Sequence, residues 1–507
     1  MLSRVFTSGI IGIEGYEVVV ECSAWDRIPR FDLVGLPDAA VKEAKNRVQS
    51  ACENSGFKFP ALDIMVNLAP ADRKKEGSGF DLAILAAILQ SDRIIPANYD
   101  FSDKCLVGEL SLSGEVRSIG GVLPMTASAR DAGKKEMFVP YANAKEAAVV
   151  DGITVYGVKT LRQLINHITG KEKISPELYD KRSFERERHF ELDFSEVRGQ
   201  LRAKRALEVA AAGGHNVLMI GPPGAGKSML AKRLPTILPE MTFSEAVETT
   251  KIHSVMGMLK SNLISERPFR SPHHTASASA LAGGGPLMRP GEISLAHNGV
   301  LFMDELPEFR RDVLEALRQP LEDGDVTVAR AGGTLHLPAR FQLVCAMNPC
   351  RCGWRGHPSG RCRCSDRDVE KYVEKISGPL LDRIDLHVSV PSVEYEMMRR
   401  KETPEPSAAV KQRVDKARAI QEERFAGSQT TCNAYMTPAQ IKAFCPLDPA
   451  GDALMKNAFT RMGLTARSHD KVLRLARTIA DLEGEENISA IHLAEAIQYR
   501  NTDILKS

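Results

Sequence analysis

The sequence predicts an α/β protein in three parts, and two patterns in the chain lead to this fold class. Over residues 1–170, short apolar β runs alternate with helical stretches, which indicates a compact α/β domain. Over residues 193–392, apolar runs end in a glycine-rich loop or in acidic residues, as buried strands of a parallel sheet do. Residues 393–507 turn helical, and the charged stretch 171–192 predicts a linker.

The elements of the first and last parts follow from spacing. In the first part the β runs are 16–22, 62–68, 104–110 and 136–139, and the helical stretches include 39–55 and 81–89. In the last part, the apolar positions Val472, Leu475, Ala476 and Ile479 recur as on one face of a helix. We therefore expect a helical lid at the C-terminal end.

Composition narrows the functional class. A chain of 507 residues is too long for one core, and 43% hydrophobic and 26% charged residues are ordinary globular values. The net charge is only +2, so any nucleic-acid surface must be local. Glu14 and Glu17 interrupt the apolar stretch 10–20, so we expect no cleavable secretion signal. The chain also contains ten cysteines. These features predict a cytoplasmic protein with reduced thiols and no membrane partner.

Residues 221–228 fit the phosphate-binding pattern G-x-x-x-x-G-K-S. Residues 215–220 read as a buried strand entering this loop, and residues 227–234 read as a helix leaving it. Lys227 would reach the β and γ phosphates, and the Ser228 hydroxyl would hold Mg²⁺. A glycine-rich turn that matches by chance is the alternative, which the flanking strand and helix disfavour. The nucleotide-binding residues are Gly221, Pro222, Pro223, Gly224, Ala225, Gly226, Lys227 and Ser228.

A second apolar run, 300–303, ends in Asp304 and Glu305. Acids delivered at the carboxyl end of a parallel strand lie where α/β folds bind their ligands. Asp304 can join the Mg²⁺ shell, and Glu305 can orient and deprotonate the attacking water. Taken alone, an ordinary acidic strand end is the better explanation, but the phosphate loop upstream reverses that preference. The pair predicts hydrolysis of ATP or GTP.

Three further segments resemble AAA+ ATPases. The strand 341–347 ends in Asn348 and resembles the sensor-1 strand, in which an Asn helps to place the hydrolytic water. Residues 378–386, GPLLDRIDL, resemble the arginine-finger segment of the magnesium-chelatase and minichromosome-maintenance helicase branch, which implies that Arg383 reaches a neighbour's ATP. Arg467 fits the sensor-2 position of the helical lid, in cis or in trans. A surface salt bridge is the alternative for either arginine.

Two segments around the acidic strand point to the same branch. Residues 291–299 precede it as they do in chelatase-like and minichromosome-maintenance ATPases, and residues 325–337 read as two β runs around the Gly332-Gly333 turn. In the helicases the equivalent hairpin carries a basic residue into a central channel to touch DNA phosphates, which implies that role for Arg330. A structural hairpin with a solvated arginine is an equal alternative.

Together these motifs, with SPHHTASASALAGGG at 271–285, make the whole chain similar to the ComM/YifB group of competence-associated, magnesium-chelatase-like ATPases. The resemblance implies a homohexameric DNA motor that drives branch migration while transforming DNA is integrated. Single-stranded or branched DNA and recombination proteins would be its partners. A protein remodeller or protease regulator is the main alternative, and a metal-chelatase motor is a third.

The first part resembles the proteolytic domain of Lon through residues 76–81 and 108–121. Lon uses a Ser–Lys dyad, but registering these segments puts Gly79 at the serine position and Leu123 at the lysine position. Ser78 is one residue away from the required place. We therefore expect no peptidase activity and a role in oligomerisation or DNA handling.

Four cysteines form two C-x-C pairs within 15 residues, at Cys350, Cys352, Cys362 and Cys364. Four thiolates at this spacing suit a tetrahedral structural Zn²⁺, and free thiols in a loop are the alternative. Trp354 and nearby arginines form a basic patch around them that could meet nucleic acid. His273 and His274 could be extra ligands or switch residues, although ordinary buried or solvated histidines are the alternative.

Overall fold

The computed structural model describes residues 2–181, 184, 190–259, 261–285, 288–330, 333–392 and 404–500. The chain divides into two compact units. The first comprises Met1–Glu187, Phe243–Ser265 and Leu287–Arg289, and the second comprises Arg188–Thr242, Glu266–Pro286 and Pro290–Ser507. The predicted ATPase region 193–392 is thus interrupted by segments that belong to the first unit.

The first unit is built from two four-stranded sheets, one two-stranded sheet (β6-β7) and their helices. Its strands are β1 (Leu2–Ile11), β2 (Glu14–Trp25), β3 (Arg30–Val34), β4 (Asp63–Ala69), β5 (Lys104–Leu106), β6 (Glu109–Leu110), β7 (Val116–Arg117), β8 (Glu136–Pro140), β9 (Thr154–Val158) and β10 (Pro176–Glu177). The helices in its first segment, Met1–Glu187, are α1 (Ala39–Asn54), α2 (Asp81–Ser91), α3 (Val122–Asp131), α4 (Ala144–Ala147) and α5 (Leu161–Ile168).

The sheets of this unit run in the orders β1-β2-β4-β3 and β10-β9-β8-β5. β1 and β2 form an antiparallel hairpin, and every residue of α2 is buried, which explains why that helix is apolar on all sides. The α/β class and the predicted β runs are confirmed. The predicted linker, however, supplies β10, an edge strand of two residues that is too short to leave a pattern in the sequence.

The remaining elements belong to the second unit, with two exceptions: α8 lies in the first unit, and β14 spans the boundary because its Arg289 belongs to the first unit. The strands are β11 (Val217–Ile220), β12 (Phe269–Arg270), β13 (Gly283–Gly284), β14 (Arg289–Pro290), β15 (Val300–Met303), β16 (Asp325–Arg330), β17 (Gly333–Pro338), β18 (Gln342–Met347) and β19 (Leu386–Ser389). The helices are α6 (Leu201–Gly213), α7 (Lys227–Arg233), α8 (Phe243–Val255), α9 (Ala278–Ala282), α10 (Glu292–Leu295), α11 (Arg311–Glu315), α12 (Arg318–Asp323), α13 (Asp366–Val373), α14 (Gly378–Leu381), α15 (Ser407–Arg424), α16 (Pro438–Phe444), α17 (Pro449–Met462), α18 (Ala466–Glu483) and α19 (Ala490–Gln498).

A five-stranded parallel sheet organises the second unit, in the order β12-β15-β18-β11-β19. The strands β11, β15 and β18 are buried along their whole length, as the continuous apolar runs predict. Because all five strands are parallel, their carboxyl ends meet at one edge of the sheet and their amino ends meet at the other. This arrangement decides which predicted site residues come together.

Two other predictions can be compared with the fold. β16 and β17 form the expected antiparallel hairpin, but Arg330 pairs with Gly333, so Gly333 belongs to the strand and not to the turn. After residue 404 the described chain is helical, and the face predicted for α18 is buried at Val472, Leu475 and Ile479. Among the described residues, none of the helices combines the length and apolar character that crossing a bilayer requires.

Candidate nucleotide site and cysteine cluster

Three neighbouring strands deliver the predicted ATP-site residues to the carboxyl edge of the parallel sheet. β11 runs into the phosphate loop 221–226, β15 runs into Asp304 and Glu305, and β18 runs into Asn348. β18 lies between the other two, so its terminal Asn348 falls between the loop and the acids. Sequence-distant residues are therefore assembled by the order of the strands alone.

Lys227 is the first residue of α7, and Gly226 before it adopts a left-handed φ of 92° that suits glycine. The Lys227 Nζ atom donates to the carbonyl oxygens of Gly221 at 2.6 Å and Pro222 at 3.0 Å, and to Asn348 Oδ1 at 3.2 Å. Burial lowers the pKa of Lys227, while the carboxylates of Asp304 and Glu305 oppose that shift. The ammonium therefore lies inside the loop, held by groups that a phosphate can replace.

The Ser228 hydroxyl donates to Asp304 Oδ2 at 2.7 Å. A hydroxyl and a carboxylate at this separation are hard oxygen donors of the kind that Mg²⁺ prefers, and the ion keeps waters and phosphate oxygens in its remaining positions. The donor set fits Mg²⁺ without any further protein ligand. Ser228 and Asp304 would hold the ion between the loop and β15.

Glu305 follows Asp304 in a left-handed conformation, with φ of 54°. This turn leaves its carboxylate half exposed, and Glu305 Oε2 lies 3.4 Å from His274 Nδ1. The ring of His274 lies against that of His273, with centroids 4.1 Å apart and the ring planes tilted by 33°. The structure therefore places His274 beside the predicted water-activating carboxylate, and His273 is in contact with His274.

Gln200 is a site residue that the sequence analysis missed. Its side-chain Nε2 donates to the Ala225 carbonyl oxygen at 3.1 Å and to the Pro391 carbonyl oxygen at 2.6 Å, so it ties the phosphate loop to the end of β19. Gln200 also has a left-handed φ of 56°. Its partners lie 25 and 191 residues away in the chain, so no local pattern could have revealed them.

Arg383 lies at the other edge of the sheet. Its backbone carbonyl accepts from Asn216 Nδ2 at 3.1 Å, and Asn216 immediately precedes β11. The four residues of β11 separate this point from the phosphate loop by about 13 Å at 3.3 Å per residue. Arg383 is therefore remote from the nucleotide loop of its own chain.

Arg383 and Arg467 line the same cavity, which has a volume of about 520 Å³. Asp385 and Lys471 also line it, and Lys471 Nζ lies 2.7 Å from Asp385 Oδ1. Burial alone would raise the pKa of Asp385, but Lys471 and His215 hold it well below its usual range. The two arginines are thus brought together by the fold and kept away from Lys227.

The predicted DNA residue, Arg330, ends β16 beside the hairpin turn. Its side chain, like residues 331 and 332, lies outside the described part of the structure. Arg330 is the sixth residue of the hairpin, counted from Asp325. Its predicted contact with DNA stays a prediction.

The sulfur atoms of Cys350, Cys352, Cys362 and Cys364 all lie within 4.8 Å of one another. The Cys350–Cys352, Cys352–Cys362 and Cys350–Cys362 sulfur distances are 3.3, 3.6 and 3.8 Å. Four sulfurs at 2.3 Å from a tetrahedral Zn²⁺ lie about 3.8 Å apart, so the cluster fits that ion. A hydrogen bond from the Trp354 backbone lowers the pKa of Cys352 to about 6. Backbone hydrogen bonds act in the same direction on Cys362 and Cys364, but burial and the neighbouring cysteines outweigh them and raise the pKa of both thiols.

The cluster is surrounded by the predicted basic and aromatic side chains. The Arg361 guanidinium lies 5.1 Å above the Trp354 ring, and the His357 ring meets Trp354 edge-on at 4.9 Å. Arg355 pairs with Asp366 at 2.6 Å, so its charge is partly neutralised. Within this patch, the Arg361 guanidinium therefore covers one face of the Trp354 ring.

Around the positions where Lon carries its catalytic dyad, the polar side chains of this chain have other partners. The Ser78 hydroxyl donates to Glu109, whereas Lys75 is fully buried and its Nζ donates to the backbone carbonyls of Pro70 and of Arg73, the latter at 2.8 Å. Burial lowers the pKa of Lys75. Leu123, at the lysine position of Lon, is buried in α3.

Three family profiles of magnesium chelatase match the chain. The profile described as magnesium chelatase, subunit ChlI, covers residues 193–398. The profile of subunit ChlI of Mg-chelatase covers residues 20–143, and that of the ChlI C-terminal region covers residues 404–500. Each of the three predicted parts is thus similar to a section of one family.

Full-length relatives agree with these profiles. Competence protein ComM of Haemophilus influenzae is 43% identical over 504 residues, which is 98% of this chain and 97% of the relative. The YifB protein of Escherichia coli is 40% identical over 508 residues, covering 99% and 98%. Lon protease 2 of Bacillus subtilis is 30% identical over 129 residues, which is 25% of this chain and 23% of the protease.

Proposed function

The chain belongs to the family of magnesium-chelatase-like AAA+ ATPases that includes competence protein ComM, and from that membership we propose a hexameric motor that hydrolyses ATP to move DNA. Membership in this family implies that the cofactors are ATP and Mg²⁺. The relative from Haemophilus influenzae is named for competence, which supports a role on incoming DNA. The proposed activity is branch migration on single-stranded or branched DNA during its integration, with recombination proteins as partners.

The hydrolytic half of the site is held within one subunit. Lys227 would bind the β and γ phosphates once they displace the carbonyl oxygens that it now contacts. Ser228 and Asp304 would hold Mg²⁺, which neutralises phosphate charge as the leaving group departs. Asn348 would position the attacking water, and Glu305 would take its proton. His274 contacts Glu305 and can set the orientation of that base.

The other half would come from a neighbouring subunit, and the position of Arg383 is the single observation that carries the ring proposal. Arg383 lies at the amino edge of the sheet, a strand's length from its own phosphate loop. It therefore cannot reach the γ phosphate bound in its own chain, and we propose that it serves a neighbour's phosphate instead. Arg467 shares that cavity, so we propose that it also acts in trans.

The hairpin β16–β17 supports the DNA half of the proposal. Its strands are held in register from Asp325 to Arg330, and its base leads directly into β18. β18 is followed by Asn348, which lies at the same edge of the sheet as the phosphate loop. A hairpin in a ring's channel would contact phosphates, which are bound by charge and without regard to base sequence. We propose Arg330 as that phosphate contact.

Equilibrium DNA binding over a range of salt concentrations tests this contact. Arg330→Ala should weaken binding to all DNA sequences alike, and it should reduce the salt slope by about one charge per engaged subunit. Arg461→Ala, which removes an exposed arginine from α17, is the control and should leave the slope unchanged. Unchanged DNA affinity and an unchanged salt slope for Arg330→Ala would refute the proposal that this residue contacts DNA in the channel.

We also propose that the cysteine cluster holds one structural Zn²⁺ per chain through Cys350, Cys352, Cys362 and Cys364. Its compact geometry and the buried Cys350 favour a metal that fixes the loop after β18. Elemental analysis of protein purified without chelator should find about one zinc per chain, and the double variant C352S/C362S should have lost it. Protein without metal, or equal zinc in the double variant, would contradict the assignment.

A further inference from the structure

Arg383 is engaged inside its own chain. One guanidinium nitrogen, Nη2, pairs with the Glu322 carboxylate, and Nη1 donates to the Pro379 carbonyl oxygen at 2.8 Å. The Arg383 side chain is only 14% exposed, whereas that of Glu322 is 55% exposed. An arginine that must reach a neighbour's phosphate is thus occupied by an internal carboxylate.

Arg383 nevertheless has one N–H donor that is free to bind an anion. Its buried Nε atom has no hydrogen-bond partner in the described structure, and the same is true of Arg474 Nε. Both arginines line the 520 Å³ cavity together with Arg467. Buried guanidinium N–H groups without acceptors are costly, so a phosphate oxygen entering this cavity would gain by satisfying them. Such an oxygen would compete directly with Glu322 for Arg383.

Glu322 lies on the element that leads into the hairpin. It belongs to α12, which ends at Asp323, and β16 begins two residues later at Asp325. Gln319 on the same helix donates to Thr327 Oγ1 on β16 at 3.0 Å. A displacement of the hairpin strands would therefore move α12 and the Glu322 carboxylate with it.

From these contacts we infer that Glu322 is a positioning residue that withholds Arg383 from the neighbouring nucleotide until DNA engages the β16–β17 hairpin. The inference rests on the proposed function, since it takes Arg383 as a trans-acting finger and the hairpin as the DNA contact. When the hairpin is displaced, Glu322 releases the guanidinium, and Arg383 becomes available to the phosphate. DNA binding and hydrolysis would be coupled through one ion pair.

Steady-state ATPase assays of the assembled protein test this coupling. Glu322→Gln and Glu322→Ala remove the carboxylate, so turnover without DNA should rise threefold to tenfold while the stimulation by DNA shrinks by a similar factor. Asp452→Asn removes the same charge from an exposed position of α17 that does not line this cavity, and it is the control. It should leave both quantities at their wild-type values.

The double variant Glu322→Gln/Arg383→Ala separates this role from a general structural effect. If Glu322 acts through Arg383, the double variant should show none of the gain. Turnover without DNA that is unchanged or lower in Glu322→Gln and Glu322→Ala, in rings that still assemble, would overturn the inference. So would a gain that persists when Arg383 is absent.

The same experiment distinguishes this inference from the proposed function. If DNA fails to stimulate the wild-type protein, the DNA role is refuted, yet a gain in Glu322→Gln that disappears with Arg383→Ala still supports restraint of the finger. If DNA stimulates the wild type and Glu322→Gln equally, the DNA role stands and the restraint by Glu322 is wrong. Light scattering of each variant establishes that the compared samples are in the same oligomeric state.

Discussion

The contact between the cysteine cluster and the phosphate loop can be probed by adding one carbon atom. Gly353, in the cluster, has a left-handed φ of 85°, and a Cβ at this position would lie 2.7 Å from Cδ and 2.8 Å from Cγ of Pro223. Pro223 belongs to the phosphate loop, and its ring is stiff. Gly356 is a matched control because its φ is also left-handed, at 69°, while its Cβ would meet nothing within 4 Å.

The two substitutions differ by one physical effect. Gly353→Ala and Gly356→Ala both place a side chain in the left-handed region, at a cost of about 1–2 kcal/mol. Gly353→Ala alone adds the overpacking against Pro223, which costs about 1–3 kcal/mol more. If relief of that overpacking shifts the phosphate loop, ATP affinity should fall by about fivefold to a hundredfold, at 1.4 kcal/mol for each factor of ten.

Equilibrium titration with a fluorescent ATP analogue at fixed Mg²⁺ measures this effect, and thermal unfolding of the same samples measures stability. Gly353→Ala should lose affinity and stability, whereas Gly356→Ala should lose only the smaller amount of stability. Equal ATP affinity in the two variants would refute the reasoning, because the packing of the cluster against the phosphate loop would then have no effect on ATP binding. Loss of stability in Gly353→Ala with unchanged affinity would refute it as well.

The remaining predictions concern the ATP site and a buried charge network. Glu305→Gln should retain ATP binding but lower turnover by about 10²–10⁴, because the attacking water loses its base, and wild-type turnover would show that another group is the base. Arg383→Ala should bind ATP normally and hydrolyse it poorly, and mixing it with Lys227→Ala protein should restore some activity. Failure to recover in stable mixed rings would argue against action in trans. Asp481→Asn should destabilise the protein by about 3–5 kcal/mol in urea unfolding, because it leaves the buried Arg477 and Arg424 without their carboxylate. A change within error of zero would contradict that estimate.

The parts of the site that the sequence could predict are those carried by short, continuous segments. The phosphate loop, the acidic end of β15 and the polar end of β18 each follow a buried apolar run, and strand order then brings Lys227, Asp304 and Asn348 together. The cysteine cluster is likewise local, since its members span 15 residues. In all these cases the chemistry and the element that positions it lie side by side in the chain.

The contacts that could not be predicted join distant segments. Glu322 pairs with Arg383 across 61 residues, and Gln200 reaches Pro391 across 191 residues. Neither pair leaves a periodic signal, because each depends on how two elements pack and not on either element alone. For the same reason the sequence placed residues 243–265 in the ATPase region, whereas the fold groups them with the first unit.

ATP turnover measured with and without DNA tests the central claim most directly. The wild-type protein should hydrolyse ATP several times faster on saturating single-stranded or branched DNA than without it, because DNA engagement of the hairpin is proposed to favour the trans-acting Arg383. Lys227→Ala protein, prepared in parallel, gives the background from any contaminating ATPase. Turnover that no DNA substrate changes, in rings that hydrolyse ATP above that background, would contradict the claim that this ATPase is a DNA motor.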